Sequence, residues 1–313
     1  MVVRDYGEPL RQGLDMNAPC QKLGWPNMVL CGQGTGVAYP EHSGPLSLKT
    51  VRSGCEVNEV GRARFAVTPG RYLLLNDQQR HAHAVEDSAE VFLVMFRRGL
   101  AAEVLASLTT PTEQLLDHPE ASFGTTGEPT EFFERTYPND AVLTSLLSNL
   151  QQRFVEMDFR NLEESQSALE TLFHPILERL LHLHRTIYEE VEKLPAVRFA
   201  TKVESYRRLW RARDFIEASF LEPISLTRIA EAAELSPHHL LRLFKRVFGE
   251  TPHQLTTRRR LGHAQFLLSH TDRSVTDICF DIGFESLGSF STLFKTRLGV
   301  SPALYRTASL QVV

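Results

Sequence analysis

The sequence predicts an α+β multidomain protein: an N-terminal β-rich barrel with following helices, then an all-α C-terminal domain made of two helix–turn–helix units. Three observations predict it. Short apolar runs punctuated by glycine and proline fill residues 25–98, helical periodicity dominates 140–194, and the last hundred or so residues contain an internal duplication. The expected divisions are 1–110, 111–198 and 199–313. A length of 313 residues with 42% hydrophobic residues supplies more than one core, which excludes a disordered chain and a disulfide-stapled miniprotein.

In the first division the runs Met28-Val-Leu-Cys31, Leu46-Ser-Leu-Lys-Thr-Val51, Phe65-Ala-Val67, Arg71-Tyr-Leu-Leu-Leu75 and Val91-Phe-Leu-Val-Met-Phe96 read as strands. Turn signals such as Thr68-Pro-Gly70 and Asn76-Asp77 separate them, the texture of a sandwich or small barrel. A short helix is expected over 100–108, and a surface connection over 109–130, where Pro, Thr, Glu and Gly accumulate.

Two helices should follow. The first covers 140–157, where Val142, Leu143, Leu146, Leu147, Leu150 and Phe154 keep a helical period. The second covers 162–194, with a seam of Leu169, Phe173, Ile176, Leu180, Leu183, Ile187, Val191 and Leu194. That seam either packs on its own domain or pairs with a second copy, because the flanking positions carry no charge code. Pro175 either kinks this helix or marks the first turn of a separate one, and Pro195 ends it.

Charge separates the two ends of the chain. The formal net charge is -4, but residues 202–313 hold 16 Lys+Arg against 11 Asp+Glu, a net of +5, leaving -9 for residues 1–201. Cys20, Cys31, Cys55 and Cys279 show no CxxC spacing, so they read as buried thiols and not as a zinc or redox motif. The N-terminal residues lack an apolar signal core, and no later stretch has the roughly 18 uncharged apolar residues of a membrane span. A cytoplasmic protein with no membrane partner is expected.

The basic block repeats itself. Ile229-Ala-Glu-Ala-Ala-Glu-Leu235 matches Ile278-Cys-Phe-Asp-Ile-Gly-Phe284 at an offset of 49. Leu240, Leu243, Phe244, Lys245 and Gly249 then match Phe290, Leu293, Phe294, Lys295 and Gly299 at 50, as Thr251-Pro252 matches Ser301-Pro302. Each copy reads as helix, tight turn, helix. In the first copy Ser225 precedes a helix to about Ala233, and Ser236-Pro237 is an N-cap followed by a first-turn proline. In the second, a helix over 277–282 is followed by Gly283, suited to a left-handed position, and a helix over 286–298. Leu240, Leu243 and Phe244 form a buried stripe, which leaves His238, His239, Leu241, Arg242, Lys245 and Arg246 for the other faces. Such a helix has the pattern needed to enter a DNA major groove.

Residues 252–270 between the copies contain no breaker except Gly262 and would form a rod of about 28 Å. Major-groove segments on one face of DNA recur about every 34 Å, so the rod can hold two recognition helices near one turn apart. Arg258 and Arg259 on the rod are phosphate candidates. Three consecutive arginines diverge around a helix, so Arg260 is left as a solvated or salt-bridged third.

Residues 203–306 resemble the C-terminal DNA-binding domain of the AraC/XylS family of bacterial transcription regulators. Ile278-Cys-Phe-Asp-Ile-Gly-Phe284, Ser289-Phe-Ser-Thr-Leu-Phe-Lys295 and Gly299-Val-Ser-Pro-Ala-Leu-Tyr-Arg306 carry the resemblance. It implies base-reading positions at His238, Leu241 and Arg242 in the first recognition helix, and at Gly288, Ser289 and Thr292 in the second. Lys245 and Lys295 suit phosphate, and His239 is divided between the DNA face and an ordinary helix contact. Two departures stand out: Glu234 occupies a turn position where the family often has glycine, and Gly288 has no side chain with which to read a base.

The segment Phe65-Ala-Val-Thr-Pro-Gly-Arg-Tyr-Leu-Leu-Leu-Asn76 followed by His81-Ala-His83 resembles, more distantly, the cupin-like sensor barrel that many such regulators carry. If His81 and His83 share a strand they point to one face, with Glu86 pointing away. No histidine-rich strand precedes them, so neither a metal nor another cofactor is expected; His182 and His184 do not face each other on a helix. The expected function is a sequence-specific, non-enzymatic regulator of double-stranded DNA, an activator responding to a small-molecule effector, homodimeric and in contact with RNA polymerase. Two alternatives remain: a cupin-type metalloenzyme fused to a DNA-binding module, which stoichiometric metal would favour, and a ligand-independent regulator whose N-terminal part only dimerises.

Overall fold

The structure is a computed structural model that describes residues 2–3, 26–85, 87–109, 131–156, 162–194 and 198–310. Residues 110–130 of the connection expected over 109–130, the side chains of Glu86 and Cys20, and the helix end at Pro195 lie outside these residues, and Thr109 ends a helix. The chain divides into two compact units, residues 1–207 and 208–313. Among the described residues, no helix is long and apolar enough to cross a membrane.

Among the described residues, ten strands build the first unit: β1 (Val2–Val3), β2 (Met28–Gly34), β3 (Val37–His42), β4 (Ser47–Ser53), β5 (Glu56–Val60), β6 (Ala63–Val67), β7 (Arg71–Leu75), β8 (His81–Val85), β9 (Ala89–Met95) and β10 (Thr136–Pro138). They form a six-stranded sheet ordered β1-β2-β9-β4-β7-β10 and a four-stranded sheet ordered β3-β8-β5-β6. Alternation sends one residue in two inward. Val51, Leu73, Leu75 and Val91 from the first sheet therefore meet Val60, Phe65, Val67 and Val85 from the second in one apolar cluster. Each such side chain contributes about 1.5–3 kcal/mol by leaving water.

The outer face of the larger sheet is covered by helices, which is why its strands are apolar on both sides. These helices are α1 (Leu100–Thr109), α2 (Ala141–Val155) and α3 (Leu162–Glu192). Asp140 caps α2 by accepting from the Leu143 amide at 2.7 Å, and its other oxygen receives Arg179 of α3 at 2.7 Å. Helix α3 runs through Pro175 as one element, so the proline does not begin a separate helix. Its seam packs on its own unit: Phe173, Ile176, Leu180, Ile187, Val191 and Leu194 are buried in the single chain, and Phe173 meets Phe96 edge-on. The seam thus takes the first of the two expected arrangements, packing on its own domain. Cys31 and Cys55 are half-buried and not fully enclosed, while Cys279 is buried.

Helix α4 (Phe199–Ser219) leads into the second unit, followed by α5 (Leu226–Ala232), α6 (Pro237–Phe248), α7 (Pro252–His270), α8 (Val275–Asp281), α9 (Leu287–Leu298) and α10 (Pro302–Leu310). The duplication is repeated in the caps. Ser225 and Ser274 cap the first helix of each copy, Ser236 and Ser286 the second, and Gly249 and Gly299 end the second in left-handed conformation. Helix α8 starts two residues before the position expected, because the Ser274 hydroxyl accepts from the Asp277 amide at 3.0 Å and so opens the helix at Val275.

Each copy has its own core, and α7 serves both. Leu255 near its start joins Leu240, Phe244, Ile229 and Ile216. Leu261, Ala264 and Leu268 further along join Ile278, Cys279, Phe290 and Phe294. One straight helix thus carries a face of each copy.

The equivalent turns differ in chemistry. Gly283 has φ +82, and a Cβ there would lie 2.8 Å from the Arg260 guanidinium, so both backbone and neighbour require glycine. Glu234 sits at the corresponding turn with φ +52 although it carries a side chain. Its ion pair with Arg211, at 3.5 Å, is solvent-screened. Glu234→Gly is therefore expected to stabilise the second unit by about 0.5–1 kcal/mol in urea unfolding; a loss of stability would show that the Arg211 contact outweighs the backbone strain.

Candidate nucleic-acid interface

The second helix of each copy carries an exposed polar stripe opposite its core. On α6 the buried Leu240, Leu243 and Phe244 leave His238, Leu241, Arg242 and Lys245 exposed, at the spacing of one helical face. His239 is only half-exposed, and its amide donates to the Ser236 hydroxyl at 3.4 Å. On α9, Phe290 and Phe294 are buried, while Gly288, Ser289, Thr292 and Lys295 are exposed along one side. Ser289 donates its amide to the Ser286 cap at 3.2 Å. Proline at the first turn of α6 and a serine cap on both helices leave the N-terminal turns, with their partial positive charge, open to a phosphate.

The three arginines of α7 have separate surroundings. Arg258 reaches Glu250 at 2.8 Å, and Arg259 reaches Glu217 at 2.5 Å with its guanidinium over Phe220; both remain partly exposed. Arg260 is not a solvated or salt-bridged third cation. It donates to three backbone carbonyls, Phe220 at 2.7 Å, Glu222 at 2.9 Å and Gly283 at 2.7 Å. Its residue type gave no sign of this role; the signal was the glycine at 283, whose missing side chain leaves room for a guanidinium.

The first unit contains a second cluster of functional character, inside the barrel. Lys49 on β4, Glu56 and Asn58 on β5, and His81 and His83 on β8 are all buried. Lys49 Nζ lies 3.4 Å from Glu56 Oε1, and His83 Nε2 lies 3.8 Å from the same oxygen. Asn58 donates to Glu56 Oε2 at 3.4 Å, and its own Oδ1 is buried without a hydrogen-bond partner. Burial, reinforced by Lys49 and His42, lowers the His81 pKa to about 2 and holds His83 well below its ordinary value. Burial likewise lowers Lys49, against the attraction of Glu56.

His81 and His83 share a strand and one face, as their spacing predicted, but that face is the buried interior and not a surface or barrel mouth, and they are joined by a residue that sequence reasoning missed. His42 on β3 stands 4.2 Å from His81 and 5.3 Å from His83 between ring centroids. Tyr39 pairs with His83 and His42 with His81, so three steps on β3 match two on β8 across a bulge. In a regular strand residues 39 and 42 would face opposite ways. The bulge at Pro40 and Glu41 brings both to the same side, and Arg80 holds Glu41 from outside at 2.6 Å.

Comparison with known proteins extends this picture. The family model for a helix-turn-helix domain matches residues 229–308, which spans both copies. The HTH-type transcriptional activator RhaS of Enterobacter sp. (strain 638) is 28% identical over 280 residues, 88% of this chain and 91% of that protein. The same activator from Escherichia coli (strain K12 / DH10B) is 27% identical over 269 residues, 84% of this chain and 86% of that protein. Among solved structures, a probable AraC family transcriptional regulator from Rhodopseudomonas palustris CGA009 is 26% identical, covering 33% of this chain and 96% of that one, with a TM-score of 0.31.

Proposed function

From its membership of the AraC/XylS family of DNA-binding transcription regulators, to which this chain belongs, we infer that the protein is a transcriptional activator that reads two successive major-groove segments with α6 and α9. The observation that carries this reading is the pair of exposed polar stripes on equivalent, equivalently capped helices of a duplicated unit. His238, Leu241 and Arg242 face bases from α6, as do Ser289 and Thr292 from α9, with Gly288 offering only backbone. Lys245 and Lys295 take phosphates as point charges, and His239 stands at the edge of the α6 contact. Arg258 and Arg259 can join them only by leaving their carboxylate partners.

Activation is supported by the RhaS relatives, which are named as transcriptional activators, and contact with RNA polymerase is the route proposed for it. Residues 1–110 are read as the sensor, 111–198 as its helical support and a region of self-association, and 199–313 as the DNA-binding part. Buried polar groups in an otherwise apolar barrel, Asn58 Oδ1 among them, support a small-molecule effector held inside it. A net of +5 on residues 202–313 is modest for a DNA binder, which favours a homodimer that combines the charge of two copies.

Genome-wide mapping of bound DNA would supply the operator, and Arg242→Ala then tests the interface. Binding to that operator is expected to weaken by about 1–3 kcal/mol, with scrambled DNA little affected. Equal affinity of wild type and variant on both DNAs would remove Arg242 from the reading surface.

A further inference from the structure

We propose that the N-terminal barrel holds a divalent transition-metal ion, with the imidazoles of His42, His81 and His83 as its ligands. One nitrogen from each ring lies within 4.8 Å of the others, on two hydrogen-bonded strands. The register that joins them requires a bulge, and bulges recur where a strand must re-aim a side chain at a site.

The hydrogen bonds at the backs of two rings point the same way. His42 Nδ1 lies 2.9 Å from the Pro40 carbonyl, and His81 Nδ1 lies 3.2 Å from the Gln79 carbonyl. A carbonyl can only accept, so each Nδ1 carries a proton, and in the neutral ring each Nε2 then keeps its lone pair. Fixing the tautomer through an outer carbonyl is how metal-binding histidines are generally oriented.

Charge balance is set by the neighbouring pair. Glu56 Oε1, 3.8 Å from His83 Nε2, offers a carboxylate beside the cluster, and the Lys49 ammonium, 3.4 Å from the same oxygen, offsets that charge. The ligand set is thus three imidazole nitrogens with one carboxylate in reach, which suits zinc, cobalt, nickel or ferrous iron and not magnesium or calcium. Zinc–nitrogen bonds of about 2.0–2.1 Å in a tetrahedron put ligand atoms roughly 3.4 Å apart, so the rings must close by about an ångström. His42 can supply that movement, being half-buried on β3, an edge strand of its sheet. The site does not depend on the DNA-binding reading, since every group in it belongs to the first unit.

The test uses the full chain, stripped of metal with a chelator and titrated with Co2+. One equivalent is expected to bind with a visible ligand-field band, to lack the near-ultraviolet charge transfer of a thiolate, and to be displaced by Zn2+. His42→Gln and His81→Gln should each weaken binding by at least about tenfold, while His253→Gln, exposed on α7, should leave it unchanged. Circular dichroism verifies folding, and if His81→Gln unfolds, the edge-strand variant and the wild-type spectrum decide together. Absence of binding at micromolar Co2+, a thiolate band from Cys31 or Cys55, or full affinity in a folded His42→Gln protein would each overturn the proposal.

Discussion

Arg260→Met is expected to destabilise the second unit by about 3 kcal/mol without altering any residue assigned to DNA. The guanidinium donates to the carbonyls of Phe220 and Glu222, in the segment between α4 and α5, and of Gly283, in the turn between α8 and α9. Those segments belong to different copies of the duplicated unit, and α7 places the donor between them. Hydrogen bonds from a charged donor are worth about 1.5–3 kcal/mol each, less when counted together, and removing the donor leaves three part-buried carbonyls without it. Methionine preserves the apolar stem, so the loss reports the hydrogen bonds and not a cavity. Lysine restores one donor point but not the planar fork, and should recover less than half of the loss. Chemical unfolding of the full chain, followed through Trp210 fluorescence, measures it; a cost below about 1 kcal/mol would mean that solvent already satisfies the three carbonyls.

The second large effect lies inside the barrel. Lys49 and Glu56 are essentially inaccessible, with side-chain exposures of 1% and 0%. Removing one member of such a pair typically costs about 3–5 kcal/mol, because it abandons a charge in a medium that cannot solvate it. Glu56→Gln is expected to fall in that range at neutral pH, whereas the double replacement Lys49→Met/Glu56→Leu should regain most of the loss. The pH dependence follows from the lowered pKa of Lys49, caused first by burial and opposed by Glu56. Between the folded pKa and the unfolded value near 10.5 the unfolded chain holds the extra proton, so stability rises as pH rises through that window. Without Glu56 the window extends to lower pH, and the variant should recover stability on moving from neutral toward pH 10 more than wild type does. Thermal melts across that range give the answer, and a double variant as unstable as Glu56→Gln would assign the cost to packing instead of charge.

Much of the second unit was legible because its signals are local. A hydroxyl cap, a first-turn proline and an apolar stripe lie within ten residues of one another, and the limits of α7 at Pro252 and His270 follow from them directly. The candidate DNA face was legible for the same reason: once Leu240, Leu243 and Phe244 are assigned to the core, the remaining faces of α6 are fixed by the period. The role of Arg260 was not, since its partners are backbone atoms 23 to 40 residues away in sequence and carry no side-chain signature. Nor was the orientation of the α3 seam, because an apolar stripe specifies that something covers it and not what. In the barrel the strongest strands were visible as apolar runs. The edge strand β3, with Pro40 and Glu41 exposed within it, has no such run, and the polar groups gathered inside come from four different strands.

The bulge in β3 gives the barrel a property that residue identities do not encode. Whether His42 meets His81 and His83 depends on the bulge, since His42 lies three positions beyond Tyr39 and regular alternation at that spacing would turn the imidazole to the opposite face. A related chain could keep all three histidines and lose their convergence by straightening this edge. Another with one residue fewer between Tyr39 and His42 would reach the same inward triad on a regular strand. The spacing along this edge is therefore the inherited character to follow among relatives, ahead of the histidines themselves.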